Sequence, residues 1–328
     1  MEEAPQKIEI DICFATDNRY APHAAALVAS IMSHKLPEEA ISFHFFSDQT
    51  TPRVREAFQQ MSREMGFSLV IYEMSTEQFA YLPVLSHMKQ SRTTYLRLFM
   101  HRLLPDTMKK ILYLDVDMIV VSSLKELYLT DISEHYAAAV ATPATTERYF
   151  NAGMMLLNLE KYRDENMEEQ AMKYAQENLA RLSMADQDIL NFIFKGNVVL
   201  LPQKWNARQR QLVRVQEMQK REMTALSDED KEEYREAEVN PCIIHYTTQQ
   251  KPWNPNYRHA WKNCYWENIS KTPFYKEVLH GYYWSLPYYV PRMTIRFLLT
   301  PLRFLRDEYV RVFGKKIFGI SVERCRKK

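Results

Sequence analysis

Apolar and polar positions come in blocks from the start of the chain. Ile8 to Ala15, rich in β-branched residues, predicts a strand that stops at the polar turn Thr16-Asp-Asn-Arg-Tyr20. Pro22 to Lys35, rich in Ala, predicts an apolar helix. Ile41 to Ser47 predicts a second strand, Pro52 to Met65 an amphipathic helix with Pro near its start, and Phe67 to Tyr72 a third strand. This β-α-β-α-β alternation calls for an open, largely parallel sheet with helices on both faces. Such sheets bind ligands at the carboxyl ends of their strands, and Asp17 and Tyr20 stand just past one such end.

Thr93 to Leu104 is mostly apolar and predicts a helix ended by Pro105, on which Arg97 is a charge in need of a partner. Lys110 to Ser122 predicts one strand buried on both faces, interrupted by Asp115 and Asp117. Ala137 to Thr142 and Tyr149 to Asn158 are strand-like, Lys161 to Leu182 predicts a charged helix, and Ala185 to Asn191 opens another. Residues 207–238 are highly charged and predict solvated helices. Cys242 to Tyr246 predicts a short strand that carries His245.

Two carboxylates inside an apolar strand are costly to bury without a cation. Alternation puts Asp115 and Asp117 on one side and Val116 in the core. The alternative is a turn at a strand end, but the apolar residues on both sides favour a metal site. With His245 the set becomes two carboxylates and an imidazole, which suits Mn²⁺, with Mg²⁺ as second choice. Lys251, six residues past His245, is placed to meet a phosphate beside that metal.

At 328 residues, with 46% hydrophobic and 26% charged, the composition is that of an ordinary globular protein. The net charge of +2 hides a tail: residues 292–328 carry +8, which leaves −6 on the rest. Four scattered cysteines, without paired spacing, fit a reduced setting, with Cys13 and Cys242 as buried thiols. The acidic start Met1-Glu-Glu-Ala-Pro suggests no signal peptide, and no apolar run approaches the ~20 residues of a membrane span.

Six segments in order are similar to glycosyltransferase family 8. They are Phe14-Ala-Thr-Asp17 with Tyr20, Thr94-Tyr-Leu-Arg97, Leu112-Tyr-Leu-Asp-Val-Asp117, Phe150-Asn-Ala-Gly153, Ala185-Asp-Gln-Asp-Ile-Leu190, and His245 with Lys251-Pro-Trp253. The likeness covers roughly residues 8–265. It implies an α/β fold of the GT-A type with a mixed central sheet, a UDP-sugar donor, a glycan or glycolipid acceptor, and Mn²⁺. It assigns the metal to Asp115, Asp117 and His245. Ala15, Asp17, Tyr20 and Val116 are assigned to the nucleotide, with the Tyr20 ring stacking on uracil, and Lys251 to the pyrophosphate. Arg97, Asn151, Asp186 and Gln187 are assigned to the donor sugar and the reaction centre. Arg19 and Thr248 depart from the family pattern, which has a small polar residue and a Gly there.

The expected reaction is transfer of a hexose, galactose or glucose, with retention of configuration. Either Asp186 acts as nucleophile or the acceptor attacks from the leaving-group side. Two other functions compete: a Mg²⁺-dependent phosphohydrolase using Asp115, and a non-catalytic glycan- or lipid-binding protein. Residues 1–265 would form the catalytic domain and 266–328 an aromatic, basic helical tail. The stripe Leu302, Leu305, Tyr309, Val312 and Phe313, flanked by arginines, fits a helix lying on anionic lipid, not nucleic acid. That places the protein in the cytoplasm, peripheral on the inner face of the membrane. A helix packed on the body or in a homo-oligomer is the competing use of this segment.

Overall fold

Strand β1 (Ile8–Ala15) shows why the sheet is covered on both sides. Ile10, Ile12 and Phe14 enter one apolar cluster, while Cys13 enters another across the sheet. Both faces are therefore apolar, and each needs its own layer. The structure is a computed structural model describing residues 7–82, 92–142, 149–209 and 227–289.

Among these residues, β1, β2 (Glu39–Ser47), β3 (Ser68–Glu73), β4 (Lys110–Leu114), β6 (Ala137–Ala141), β7 (Phe150–Asn158) and β8 (Val198–Leu200) form one sheet. Its order is β3-β2-β1-β4-β7-β6-β8. Within it β7 runs antiparallel to both neighbours, β4 and β6, while every other pairing is parallel, so the sheet is largely parallel as expected but mixed through β7. Helices α1 (Ala21–His34) and α2 (Pro52–Met65) cover one face. Thr51 caps α2 by accepting from Val54 N–H, and Gly66, at φ 73°, ends it in a left-handed turn that favours glycine. The short α3 (Lys125–Tyr128) also joins this side.

The other face is covered by α4 (Leu159–Asp164), α5 (Met167–Asn178), α6 (Asp186–Phe194) and the segment around Arg97. The helix predicted over Lys161–Leu182 is broken, because Asn166 takes a left-handed conformation (φ 50°) between α4 and α5. The predicted helix over Thr93–Leu104 is instead two tight 3₁₀ segments, Arg92–Leu98 and Met100–Arg102.

The chain also departs from expectation at its most informative stretch. Lys110–Ser122 is not one strand. It turns at Val116–Asp117, and β5 (Met118–Val120) leaves the main sheet for a second, three-stranded one, ordered β5-β10-β9. There β10 (Ile243–His245) pairs antiparallel with β5 and parallel with β9 (Ala207–Arg208). Residues 207–238 thus contain a strand as well as helix α7 (Asp228–Val239). Cys13 is buried and Cys242 half-buried. The core continues past residue 265 through α8 (Lys262–Ile269) and Phe274, and α9 (Tyr275–Tyr289) follows. No described helix is long and apolar enough to cross a membrane. The basic stripe expected in the tail lies outside the described residues.

Candidate active site

The turn between β4 and β5 makes the site. By ending one buried strand and starting another, it aims both carboxylates at the carboxyl end of the sheet, while Val116 is half-buried at the turn and not in the core. Strand β10, hydrogen-bonded to β5, sets His245 opposite them. One ligand atom each from Asp115, Asp117 and His245 lies within 4.8 Å of the others. His245 Nε2 is 3.1 Å from Asp117 Oδ1 and 3.8 Å from Asp115 Oδ2. Gly153 forms the floor: a Cβ there would come within 2.5 Å of His245 Cε1 and 2.7 Å of Asp115 Oδ2. Two oxygens and a nitrogen converging over a residue that tolerates no side chain suit a divalent, oxygen-preferring ion such as Mn²⁺ or Mg²⁺.

Lys251 completes this corner. Its Nζ donates to Asp117 Oδ2 (2.5 Å) and to the Tyr246 carbonyl (2.6 Å). Burial would raise the Asp117 carboxyl, but Lys251 and His245 outweigh it and hold the group far below the usual carboxylate range.

Arg97 governs the opposite corner. It is 7% exposed, bridges Asp115 Oδ1 (2.8 Å) and Asp186 Oδ2 (3.0 Å), and donates to the Ala152 carbonyl (2.7 Å). Its guanidinium lies 4.4 Å from the Tyr113 ring centroid, and the Tyr113 hydroxyl donates to Asp115 Oδ1 as well. Burial works against the Arg97 charge, yet Asp115 and Asp186 together raise its pKa. For Asp186, burial pushes the carboxyl up to about 6; Asp115 adds to the rise, and Arg97 and Thr94 restrain it. Asp186 opens α6 directly after Ala185, whose φ of 53° is strained for a residue with a Cβ. Gln187 Oε1 accepts from Asn151 Nδ2 (2.9 Å) and Ala152 N–H (3.1 Å), so Asn151 and Gln187 meet directly.

At the end of β1, Asp17 Oδ1 accepts from the N–H groups of Arg19 and Tyr20, each at 3.0 Å. Its Oδ2 takes the Arg19 guanidinium at 2.8 and 3.1 Å. Tyr20 stands edge-on to Trp253, with centroids 5.9 Å apart. Behind it His23 stacks on Trp253 at 3.5 Å and meets the Tyr265 hydroxyl at 2.7 Å. Burial, and after it Lys251, lowers His23 to about 3.

All twelve residues singled out in the sequence line this one cleft: Ala15, Asp17, Tyr20, Arg97, Asp115, Val116, Asp117, Asn151, Asp186, Gln187, His245 and Lys251. Sequence reasoning missed Asn206, which is fully buried and faces both His245 (2.9 Å) and Asn151 (2.9 Å). It also missed Tyr149, which touches Gln187 and Asp188. The short run at β8, with the 3₁₀ turn Gln203–Asn206 after it, marks an element there but not the role of Asn206.

The comparisons with known proteins agree with this geometry. The model of "Glycosyl transferase family 8" matches residues 11–256. General stress protein A of Bacillus subtilis is 25% identical over 275 residues, covering 80% of this chain and 93% of that protein. The lipopolysaccharide 1,3-galactosyltransferase of Salmonella typhimurium is 24% identical over 276 residues, covering 77% and 74%. Among solved structures, galactosyltransferase LgtC in complex with donor and acceptor sugar analogs superposes with a TM-score of 0.68 at 26% identity, over 80% of this chain and 96% of that one. The shared architecture is the GT-A fold, and the phosphohydrolase and non-catalytic alternatives give way. With three-quarters of its length matched, the chain belongs to glycosyl transferase family 8, a family of sugar-transferring enzymes.

Proposed function

We propose that this enzyme moves a hexose, galactose or glucose, from a UDP-sugar to a glycan or glycolipid acceptor with retention of configuration. The observation that carries this reading is the convergence of Asp115, Asp117 and His245 beside Lys251, at the end of a nucleotide-type sheet and next to the Arg97–Asp186–Gln187 cluster.

In this reading Tyr20 offers its ring to uracil, Ala15 and Val116 line the nucleotide, and Asp17 and Arg19 meet its polar edge. Asp115, Asp117 and His245 would hold Mn²⁺, which when bound supplies positive charge to the departing diphosphate. Lys251 turns from Asp117 to the phosphate as negative charge develops there. Asp186, held by Arg97 and Thr94, accepts from sugar hydroxyls. Both lone pairs of Gln187 Oε1 are taken by N–H donors, which favours a fixed dipole near the anomeric carbon over a nucleophile. Attack by the acceptor on the leaving-group side then accounts for retention.

The lipopolysaccharide-modifying relatives point to a membrane-bound acceptor. The exposed Trp284 on α9 precedes the +8 tail, and together they support attachment to an anionic membrane on its cytoplasmic face.

The test is a UDP-release assay over a panel of UDP-sugars, with Mn²⁺ or EDTA, beside thermal shifts. UDP with Mn²⁺ at ~100 times its Kd should stabilise the fold by about 2.7 kcal/mol, EDTA should abolish turnover, and Mn²⁺ should restore it. Full turnover in EDTA, or no response to any UDP-sugar, sinks the reading.

A further inference from the structure

A chain of side-chain hydrogen bonds runs under the cleft, and two backbone N–H groups give it a direction. Gly153 N–H donates to Asn151 Oδ1 (3.2 Å), so that atom is the amide oxygen. The Asn206 atom facing it at 2.9 Å must then be the NH₂ group, and Asn206 turns its oxygen to His245 Nδ1 at 2.9 Å. His245 therefore carries its proton on Nδ1. In the neutral ring the Nε2 lone pair then faces Asp117 and Asp115, the tautomer a metal ligand needs.

The other arm is fixed in the same way. Ala152 N–H donates to Gln187 Oε1 (3.1 Å), which leaves Gln187 Nε2 as donor to the Tyr149 hydroxyl oxygen at 3.2 Å. The Tyr149 proton then goes to Asp188. Asp188 Oδ2 accepts from the N–H groups of Ser183 (2.7 Å) and Met184 (2.8 Å), so that carboxylate is anchored as an acceptor. Asn151 joins the arms, with Oδ1 accepting from Asn206 and Nδ2 donating to Gln187 Oε1.

We propose that Asn206 is a positioning residue that holds His245 in its metal-binding tautomer, and that the relay from it through Asn151, Gln187 and Tyr149 to Asp188 sets the sugar-side amide from the same anchor. The relay deepens the metal-dependent reading above and rests on it. Asn206 and Tyr149 touch neither the metal position nor the reacting atoms. They act through His245 and Gln187, and one amide reversed in the middle would leave two donors or two acceptors facing each other in a buried place.

The experiment measures Mn²⁺ binding to the metal-free full chain by calorimetry, with kcat and KM for UDP-sugar hydrolysis, in wild type and three variants. Asn206→Ala should weaken Mn²⁺ binding by about 10- to 100-fold. Asn206→Asp retains an acceptor for His245 but loses the donor to Asn151, so it should keep Mn²⁺ affinity while kcat falls about tenfold. Tyr149→Phe cuts the far end: kcat should fall about tenfold with KM and Mn²⁺ affinity unchanged. Loss of melting temperature alone, without this split between metal affinity and kcat, is what ordinary packing predicts and overturns the proposal. So does a folded Asn206→Ala that binds Mn²⁺ as wild type does. If neither Asn206 variant folds, Tyr149→Phe decides, and wild-type kcat there overturns the relay. A wild type that binds no Mn²⁺ overturns the metal reading together with the relay. Binding by wild type that no variant alters overturns the relay alone.

Discussion

The two corners of the cleft are built by different physics. At the proposed metal corner Lys251 holds Asp117 by charge, with His245 Nε2 beside the same carboxylate, and the Lys251 ammonium sits on the oxygen next to where a cation would lie. A bound cation and diphosphate can replace those contacts without leaving a charge unpaired, because Coulombic partners have no direction. At the proposed sugar corner, beside the Arg97–Asp186 ion pair, the contacts are amide hydrogen bonds anchored on the backbone N–H groups of Ala152 and Gly153. These have direction, so they cannot rearrange singly without orphaning a buried donor or acceptor. One corner is poised to change partners on binding; the other is set before any ligand arrives.

Arg97 and Gly153 join the corners, and breaking them should have the largest effects. Gly153→Ala would drive a methyl into His245 and Asp115 together. Displacement of both ligand groups by about 1 Å should cut kcat/KM by roughly 10²-fold or more, with loss of Mn²⁺ binding measured by calorimetry. A Gly153→Ala enzyme with near wild-type turnover would mean the floor is not shared.

Arg97→Met comes next. It leaves Asp115 and the buried Asp186 near each other without their bridging cation. Denaturant unfolding should show a loss of about 3–5 kcal/mol, the size expected for an orphaned buried charge. Because Arg97 restrains the Asp186 carboxyl, its pKa should rise above the present value of about 6, as followed by carboxyl NMR. A variant as stable as wild type would show that the sugar corner does not need the bridge.

The smallest effect concerns the wall behind Tyr20. His23 is held neutral, at about 3 in the fold against an ordinary value of 6.5. A depressed pKa contributes stability that is present above pH 6.5 and lost as pH falls towards 3. The slope from this one group is at most about 1.4 kcal/mol per pH unit. His23→Phe keeps a ring on Trp253 but loses the bond to Tyr265, costing about 1 kcal/mol near neutral pH. Between pH 6.5 and 4 its stability should vary less than that of wild type, as read from urea midpoints. Equal pH slopes would show that His23 is not the titrating group.

Much of the architecture was legible because each element carries its own period. Strand β1, helices α1 and α2, and strands β2 and β3 lie within two residues of where the apolar pattern puts them. The break at Asn166 was hidden by helical periodicity, because Asn tolerates left-handed backbone without requiring it. In the sequence the turn at Asp115–Asp117 is only the alternative to one continuous strand, and the structure takes it. A chain that leaves one buried sheet and enters another has apolar residues on both sides, which is also the pattern of a single buried strand.

Residue types alone determined the chemistry available: carboxylates and an imidazole for a divalent ion, an amine for a phosphate, and an arginine in need of acids. The order of the motifs determined the family. Only the tertiary structure decided which atoms face each other. Hydrogen-bond direction, as in Gly153 and Ala152 orienting Asn151, Asn206, His245 and Gln187, depends on backbone groups that every residue shares and no sequence pattern marks. Asn206 has no charge and no motif, and becomes informative only because β9 pairs with β10 and brings it beneath His245.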